Sequence, residues 1–172
     1  MPTTDQPLSI AIIRPDCNVL PRAYYNSQEL GLAIALANLG VNVDVYYAAN
    51  VDNVRYEEVK ELTAGSVTLV ELPYKNIPLI GQGYYPDLIN ELKKRTYNLI
   101  QVNEYNDIIN YRAIRYASKA DIPIIIYQGM YKNLLGKVNQ LYTLIHDKLL
   151  LPDIIKRVTK VYSKTSRASA FL

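Results

Sequence analysis

Gln128 and Gly129 are the residues whose types and setting point most directly to chemistry. They end the apolar run 122–126 in the stretch IPIIIYQGMY, between Tyr127 and Tyr131. A glutamine brings two N–H donors and a carbonyl acceptor to the place where the chain leaves a core, and a glycine lets backbone approach a ligand with no side chain intervening. Tyr127 and Tyr131 supply flat faces of the kind on which sugars pack. Other apolar runs end in the same manner: Arg14, Pro15 and Asp16 follow the first, Asn103, Glu104 and Tyr105 the fourth, Lys164 and Thr165 the last. Such side chains suit hydrogen bonding to a hydroxyl-rich ligand. Gln128 cannot serve as a general acid or base near neutral pH, and no catalytic residue is assigned.

Each candidate has a structural alternative. Asn26 stands three residues before Glu29, the capping-box spacing, so both can close a helix start or reach a ligand. Glu104 can contact an acceptor hydroxyl or hold its own turn. Lys164 and Thr165 can meet a phosphate or acceptor at a helix start, or form a solvated lysine beside a threonine cap. Cys17 has no histidine near it in sequence and is not read as a nucleophile, and its solitude fits a reducing compartment. His146 reads as an ordinary surface or boundary residue. GQGYYP (81–86) opens like a dinucleotide fingerprint but ends in proline where the third glycine should lie, so it is read as a mobile loop. Neither a metal nor a cofactor is expected.

The elements that must position these residues alternate. Strands are predicted at 8–14, 41–47, 66–72, 97–103, 122–128 and 160–164. Helices are predicted at 26–40, closed by Gly40 at a left-handed cap, at 86–96 behind Pro86, at 106–120, from Leu134 to Leu149, and briefly from Pro152. A weaker helix is read at 56–62 and a long loop at 73–85. With 172 residues, one domain is the default. Alternation of this kind predicts an α/β doubly wound, Rossmann-like parallel sheet with helices on both faces. Ligands of such sheets bind beyond the carboxyl ends of the strands, where strand order reverses. The 19 basic residues exceed the 16 acids by too little, and are too dispersed, for a nucleic-acid surface.

SIAII, then QELGLAIALANLGVNVDVYY, resembles the opening strand, helix and second strand of family 4 glycosyltransferases of the GT-B type. YNLIQVNEYND is similar to their fourth strand and its turn, PIIIYQGMY to the fifth, and VTKVYSKTSRASAFL to the passage leading toward the second half-domain. The resemblance implies transfer of a sugar from a nucleotide-sugar donor to a saccharide or lipid-linked acceptor, with retained configuration and a place in polysaccharide biosynthesis. It implies that residues 1–172 are the N-terminal, acceptor-side half of a two-domain enzyme, inactive alone, since the two glutamates eight positions apart that normally lie in the second half are missing here. The sequence departs from the family in two places: RPDCNVLPRAYYN replaces a glycine-rich turn, and Gln128 stands where many relatives have histidine.

The chain has 16 tyrosines against one phenylalanine. Most are expected to fill core edges with a partner for each hydroxyl. Tyr24, Tyr25, Tyr84, Tyr85, Tyr105, Tyr127 and Tyr131 are expected on the rim of the cleft. The absence of a basic, apolar leader predicts a cytoplasmic protein. A peripheral contact with the inner face of a membrane is a further expectation, because an apolar stripe from Leu134 to Val161 is interspersed with lysines. The rival reading is a self-contained doubly wound module that binds a ligand or partner without catalysis.

Overall fold

A computed structural model describes residues 7–14, 28–60, 62, 64–77, 82–129 and 137–170. Among these described residues, nine strands and six helices follow in chain order: β1 (Ser9–Ile13), α1 (Gln28–Asn38), β2 (Asn42–Ala49), β3 (Arg55–Glu58), β4 (Val67–Pro73), β5 (Lys75–Ile77), β6 (Gln82–Tyr84), α2 (Leu88–Leu92), β7 (Leu99–Asn103), α3 (Ile108–Lys119), β8 (Ile124–Gln128), α4 (Lys137–Leu149), α5 (Leu151–Arg157), β9 (Lys160–Ser163) and α6 (Ser166–Ala170). The main sheet has the order β3-β4-β2-β1-β7-β8-β9. All its pairings are parallel except β3 with β4. The order reverses between β1 and β7, so the doubly wound expectation holds.

Alternation along the strands divides the apolar residues between two cores. Ile12, Val43, Val45, Tyr47, Val67 and Leu69 face α1, whose Ala33 and Ala37 are fully buried against them. Ala11, Ile13, Tyr46, Ala48, Val102 and Ile126 face the other way, toward α2, α3 and α5, through Leu88, Leu92, Ala113, Ile114 and Ile154. The small residues of α1 let that helix approach the sheet closely. Gly40 ends the loop side of α1 with φ +88°, the left-handed geometry that a C-cap favours.

Three local expectations are corrected. The helix read at 56–62 is replaced by β3 over its first residues, with Arg55 opposite Glu71 and Tyr56 opposite Val70. Its apolar period is too short to hold a helix, and the outer edge of β4 offers backbone groups that need partners. The loop read at 73–85 contains an antiparallel pair, β5 with β6, so Gln82–Tyr84 is strand and not a mobile loop. The helix read from Pro86 begins at Leu88 and lasts five residues. Lys94 and Arg95 lie beyond it, drawn into ion pairs with Glu91 at 2.7 Å and Asp44 at 2.6 Å.

The expected use of tyrosine as a hydroxyl-bearing core residue is visible around Asp44. Tyr97 donates to Asp44 Oδ2 at 2.5 Å, and its hydroxyl lies 2.6 Å from that of Tyr46, which therefore donates to it. Burial pushes both phenols well above their ordinary range. Replacing Asp44 by alanine removes the acceptor of Tyr97 and Arg95 and is expected to lower the unfolding free energy by about 1–3 kcal/mol. Urea denaturation measures this, and an unmoved midpoint would show the network to be energetically idle.

Candidate functional site

The carboxyl ends of β1, β7, β8 and β9 carry the predicted polar steps side by side, because parallel pairing brings strand ends of the same sense to one edge. Asn103 ends β7 opposite Tyr127, and Gln128 pairs with Ser163. The backbone N–H of Lys164 donates to the Gln128 carbonyl at 2.9 Å. Asn103, Glu104, Tyr105, Gln128, Gly129 and Lys164 thus share one rim. Asn26, Tyr131, Cys17, Tyr24 and Tyr25 lie outside the described residues.

The turn after β7 is the most tightly specified part of this rim. Glu104 has φ +65°, a left-handed conformation that a side chain adopts at a cost of order 1–3 kcal/mol. Several hydrogen bonds hold it there. Its N–H donates to the Tyr127 carbonyl at 2.8 Å. Its Oε1 accepts from the Gly129 N–H at 3.0 Å, and its carbonyl accepts from Asn110 Nδ2 at 2.6 Å. Asn110 Nδ2 also reaches the Asn103 carbonyl. Glycine at 129 is matched to this packing, since a Cβ there would stand 3.1 Å from Glu104 Oε1.

Glu29, read from spacing as a capping residue, crosses the reversal point. Its Oε1 accepts from Asn103 Nδ2 at 2.6 Å, and Asn103 Oδ1 accepts from Gln101 Nε2 at 3.0 Å. Helix α1 and strand β7 are therefore tied at the crevice by an amide and a carboxylate. Sequence reasoning missed Gln101 and Asn110. Asn110 had a signal: it is a polar residue inside the buried stripe Ile109, Ala113, Ile114 and Ala117 of α3.

Gln128 is fully buried, and its Oε1 accepts from the Tyr105 N–H at 3.3 Å. Its visible work is to brace the turn after β7. Thr165 accepts from the Ala168 N–H at 3.1 Å, the capping role for α6, while the Lys164 side chain is exposed. The expectation of open rim tyrosines is corrected for two residues. Tyr85 is buried and donates to the Arg14 carbonyl at 2.7 Å. Tyr105 is buried against His146, with ring centres 5.7 Å apart, and is hydrogen-bonded to Asp147. A phenol packs like phenylalanine once its hydroxyl has an internal partner. Tyr84 and Tyr127 remain half-buried.

A second cation besides Lys164 stands at this edge among the described residues. Arg14 follows β1, donates its N–H to the Tyr46 carbonyl at 2.9 Å, and keeps Nη1 buried with no hydrogen-bond partner among the described residues. A groove of about 540 Å³ lies elsewhere, lined by Ile89, Lys93, Arg112, Arg115, Tyr116 and Lys119 between α2 and α3, and shares no residue with the rim cluster. Among the described residues no three His, Cys, Asp or Glu side chains converge as metal ligands would.

His146 is not the surface residue expected. It is buried on the inner side of α4, its Nδ1 lies 3.4 Å from Asp147, and Nε2 has no partner among the described residues. Desolvation lowers its pKa, with Asp147 partly opposing. The unfolded chain therefore binds the proton more readily than the folded one. Stability from this group is complete above the unfolded value near 6.5 and is lost as pH falls through and below it. Unfolding midpoints measured between about pH 5 and pH 8 should fall on the acid side, and His146→Leu should remove that part of the slope; an identical slope in the variant would rule out this cause.

Sheet order and crevice together define a doubly wound, Rossmann-like domain with a polar site at its reversal point. Its fold is like that of a solved GT-B glycosyltransferase structure from E. coli, described as trehalose-6-phosphate bound with UDP-2-fluoro glucose. The two match with a TM-score of 0.50 and 10% sequence identity, over 94% of this chain and 41% of the other. This chain therefore spans less than half the length of that protein. No family model matches the sequence, and no curated protein matches it.

Proposed function

We propose that residues 1–172 form the N-terminal, acceptor-side domain of a retaining glycosyltransferase of the family 4 type. In this reading a hexose passes from a nucleotide-sugar donor to a saccharide or lipid-linked acceptor at the cytoplasmic face of a membrane. The carrying observation is the Glu29–Asn103–Glu104–Gly129 cluster at the reversal of the sheet, where the fold places ligands. Carboxylates and amides at one edge accept from and donate to sugar hydroxyls. Arg14 adds a buried donor suited to an anionic group on the ligand. The donor would be held mostly by a second domain, in keeping with a chain that spans 41% of its structural neighbour, and the domain alone would not turn over. Gln128, Tyr105 and Thr165 would shape the site from behind, while Asn103, Glu104, Gly129 and Lys164, with Asn26 and Tyr131, would face the acceptor.

A self-contained binding module is the second reading, supported by a sheet with a complete core on each side. Titration of the chain with neutral oligosaccharides, a phosphorylated saccharide and UDP-glucose, followed by NMR, separates the two. The side-chain amide of Asn103 and the backbone of Gly129 should shift with a saccharide, and Asn103→Ala should weaken binding about tenfold while the fold persists. Saccharide binding indifferent to Asn103 would end the acceptor assignment, and sugar transfer by the isolated chain would refute its dependence on a second domain.

A further inference from the structure

The groove between α2 and α3, about 540 Å³ in volume, lies away from the crevice and has the size that holds a small molecule. Helix α2 contributes Ile89 and its C-cap residue Lys93, and α3 contributes Arg112, Arg115, Tyr116 and Lys119. The cations of α3 are spaced i, i+3, i+7, so they share one face of that helix. No acid lines the groove.

Like charges three and four positions apart on a helix repel, and nothing internal relieves them here. Acids on neighbouring elements are taken: Glu91 by Lys94 at 2.7 Å and by Tyr56, Asp153 by Arg157 at 2.8 Å and by Tyr111. Asp87 and Asp121 flank the two helices but do not line the groove. Among the described residues the side chains of Lys93, Arg115 and Lys119 have neither a hydrogen bond nor an ion pair. Arg112 donates once, to the Tyr85 carbonyl at 3.3 Å, which leaves most of its five N–H groups unused. Its guanidinium lies over the Tyr84 ring and that of Arg115 over the Tyr111 ring, 5.9 and 5.8 Å from the ring centres. A guanidinium stacked in this way is held in place with its N–H edge still available to an oxyanion. Lys119 suits the carboxyl end of α3 through the helix dipole, but no internal acceptor accounts for Lys93 or Arg115.

The geometry points to this groove as a binding site for a soluble small molecule that carries two or more phosphate groups. Arginines take phosphate oxygens in bidentate pairs and lysines add point charges, while Ile89 and Tyr116 offer apolar surface to the organic part of the ligand. Four cations from two elements around one small space exceed what a single carboxylate or phosphate neutralises. Lipid headgroups carry the same chemistry, but a membrane surface needs apolar side chains that project. Among the described residues no helix is long and apolar enough to cross a membrane, and none of the large apolar side chains exposed to solvent belongs to α2 or α3. The groove shares no residue with the rim cluster, and the inference does not rest on the acceptor reading.

Calorimetric titration of the chain with pyrophosphate at low salt tests it, with orthophosphate and sulfate as comparisons. Pyrophosphate should bind once per chain, at least about fivefold more tightly than either single anion, and more weakly as salt rises. Arg115→Gln with Lys119→Gln should weaken binding more than about tenfold and Lys93→Gln about threefold, while Lys148→Gln on α4 should leave it unchanged. All four side chains are exposed, so thermal melts of the variants should match the parent. In NMR spectra the backbone amides from Arg112 to Lys119 should shift with pyrophosphate, and that of Gly129 should not. Absence of binding, equal binding by the glutamine pair, or one weak affinity shared by all three anions, meaning an adventitious ion only, overturns the inference. So do shifts confined to Gly129 and Asn103, which would put the anion at the rim, and a glutamate-rich peptide bound more tightly than pyrophosphate. Phosphatidylglycerol vesicles bound through the same cations by a chain that ignores pyrophosphate would assign them to a lipid surface and overturn it too. Neutral oligosaccharides report on the rim and pyrophosphate on the groove, so either reading can fail without the other.

Discussion

Parallel pairing of β1 with β7 is the constraint on which everything else depends. From that pair the chain winds outward in opposite senses, toward β2 and β4 on one side and β8 and β9 on the other. Right-handed crossovers then place α1 on one face and α2, α3 and α5 on the other. The first connections to the two sides diverge, and a crevice opens above the shared edge. β1 can occupy this central place because its last three residues are apolar and fully buried, with Ile12 turned to one core and Ala11 and Ile13 to the other.

Polar groups cluster at the crevice because a strand end must hand its backbone to new partners there. The turn after β7 solves this with side chains in place of further sheet. Asn110 Nδ2 donates to two successive carbonyls, the Gly129 N–H donates to the Glu104 carboxylate, and Gln128 Oε1 accepts from the Tyr105 N–H. These bonds hold Glu104 in a conformation it would not choose alone. A carboxylate fixed in that way is pre-organised. Residues behind the site matter as much as those facing it. Gln128, the most conspicuous polar residue in the sequence, is buried and braces the turn after β7.

Helix α4 illustrates a different division between period and packing. Its amphipathic spacing correctly marks a helix, and hydrophobicity alone would turn Leu141, Ile145 and Leu149 inward. The structure turns Tyr142 and His146 inward, because Tyr105 offers an aromatic surface and Asp147 lies beside it as a polar partner. A ring contact and a hydrogen bond at the end of β7 select the face, and the leucines are left for another surface. Acid sensitivity of His146 and apolar exposure of the stripe therefore have one origin.

By itself the sequence determined the period of each long element, the strand order class and the edge at which polar residues gather. Apolar alternation, the cap at Gly40, and uninterrupted runs such as 122–126 are local properties, and local physics reads them. Only the tertiary structure decided that 55–58 is a strand, that Glu29 meets Asn103 across 74 positions, and that Tyr105 is buried while α4 faces outward. Each of those outcomes is set by a partner distant in sequence: a vacant sheet edge, an amide on another strand, an aromatic ring beneath a helix. Periodicity states that a residue seeks company, and the fold alone supplies which company is within reach.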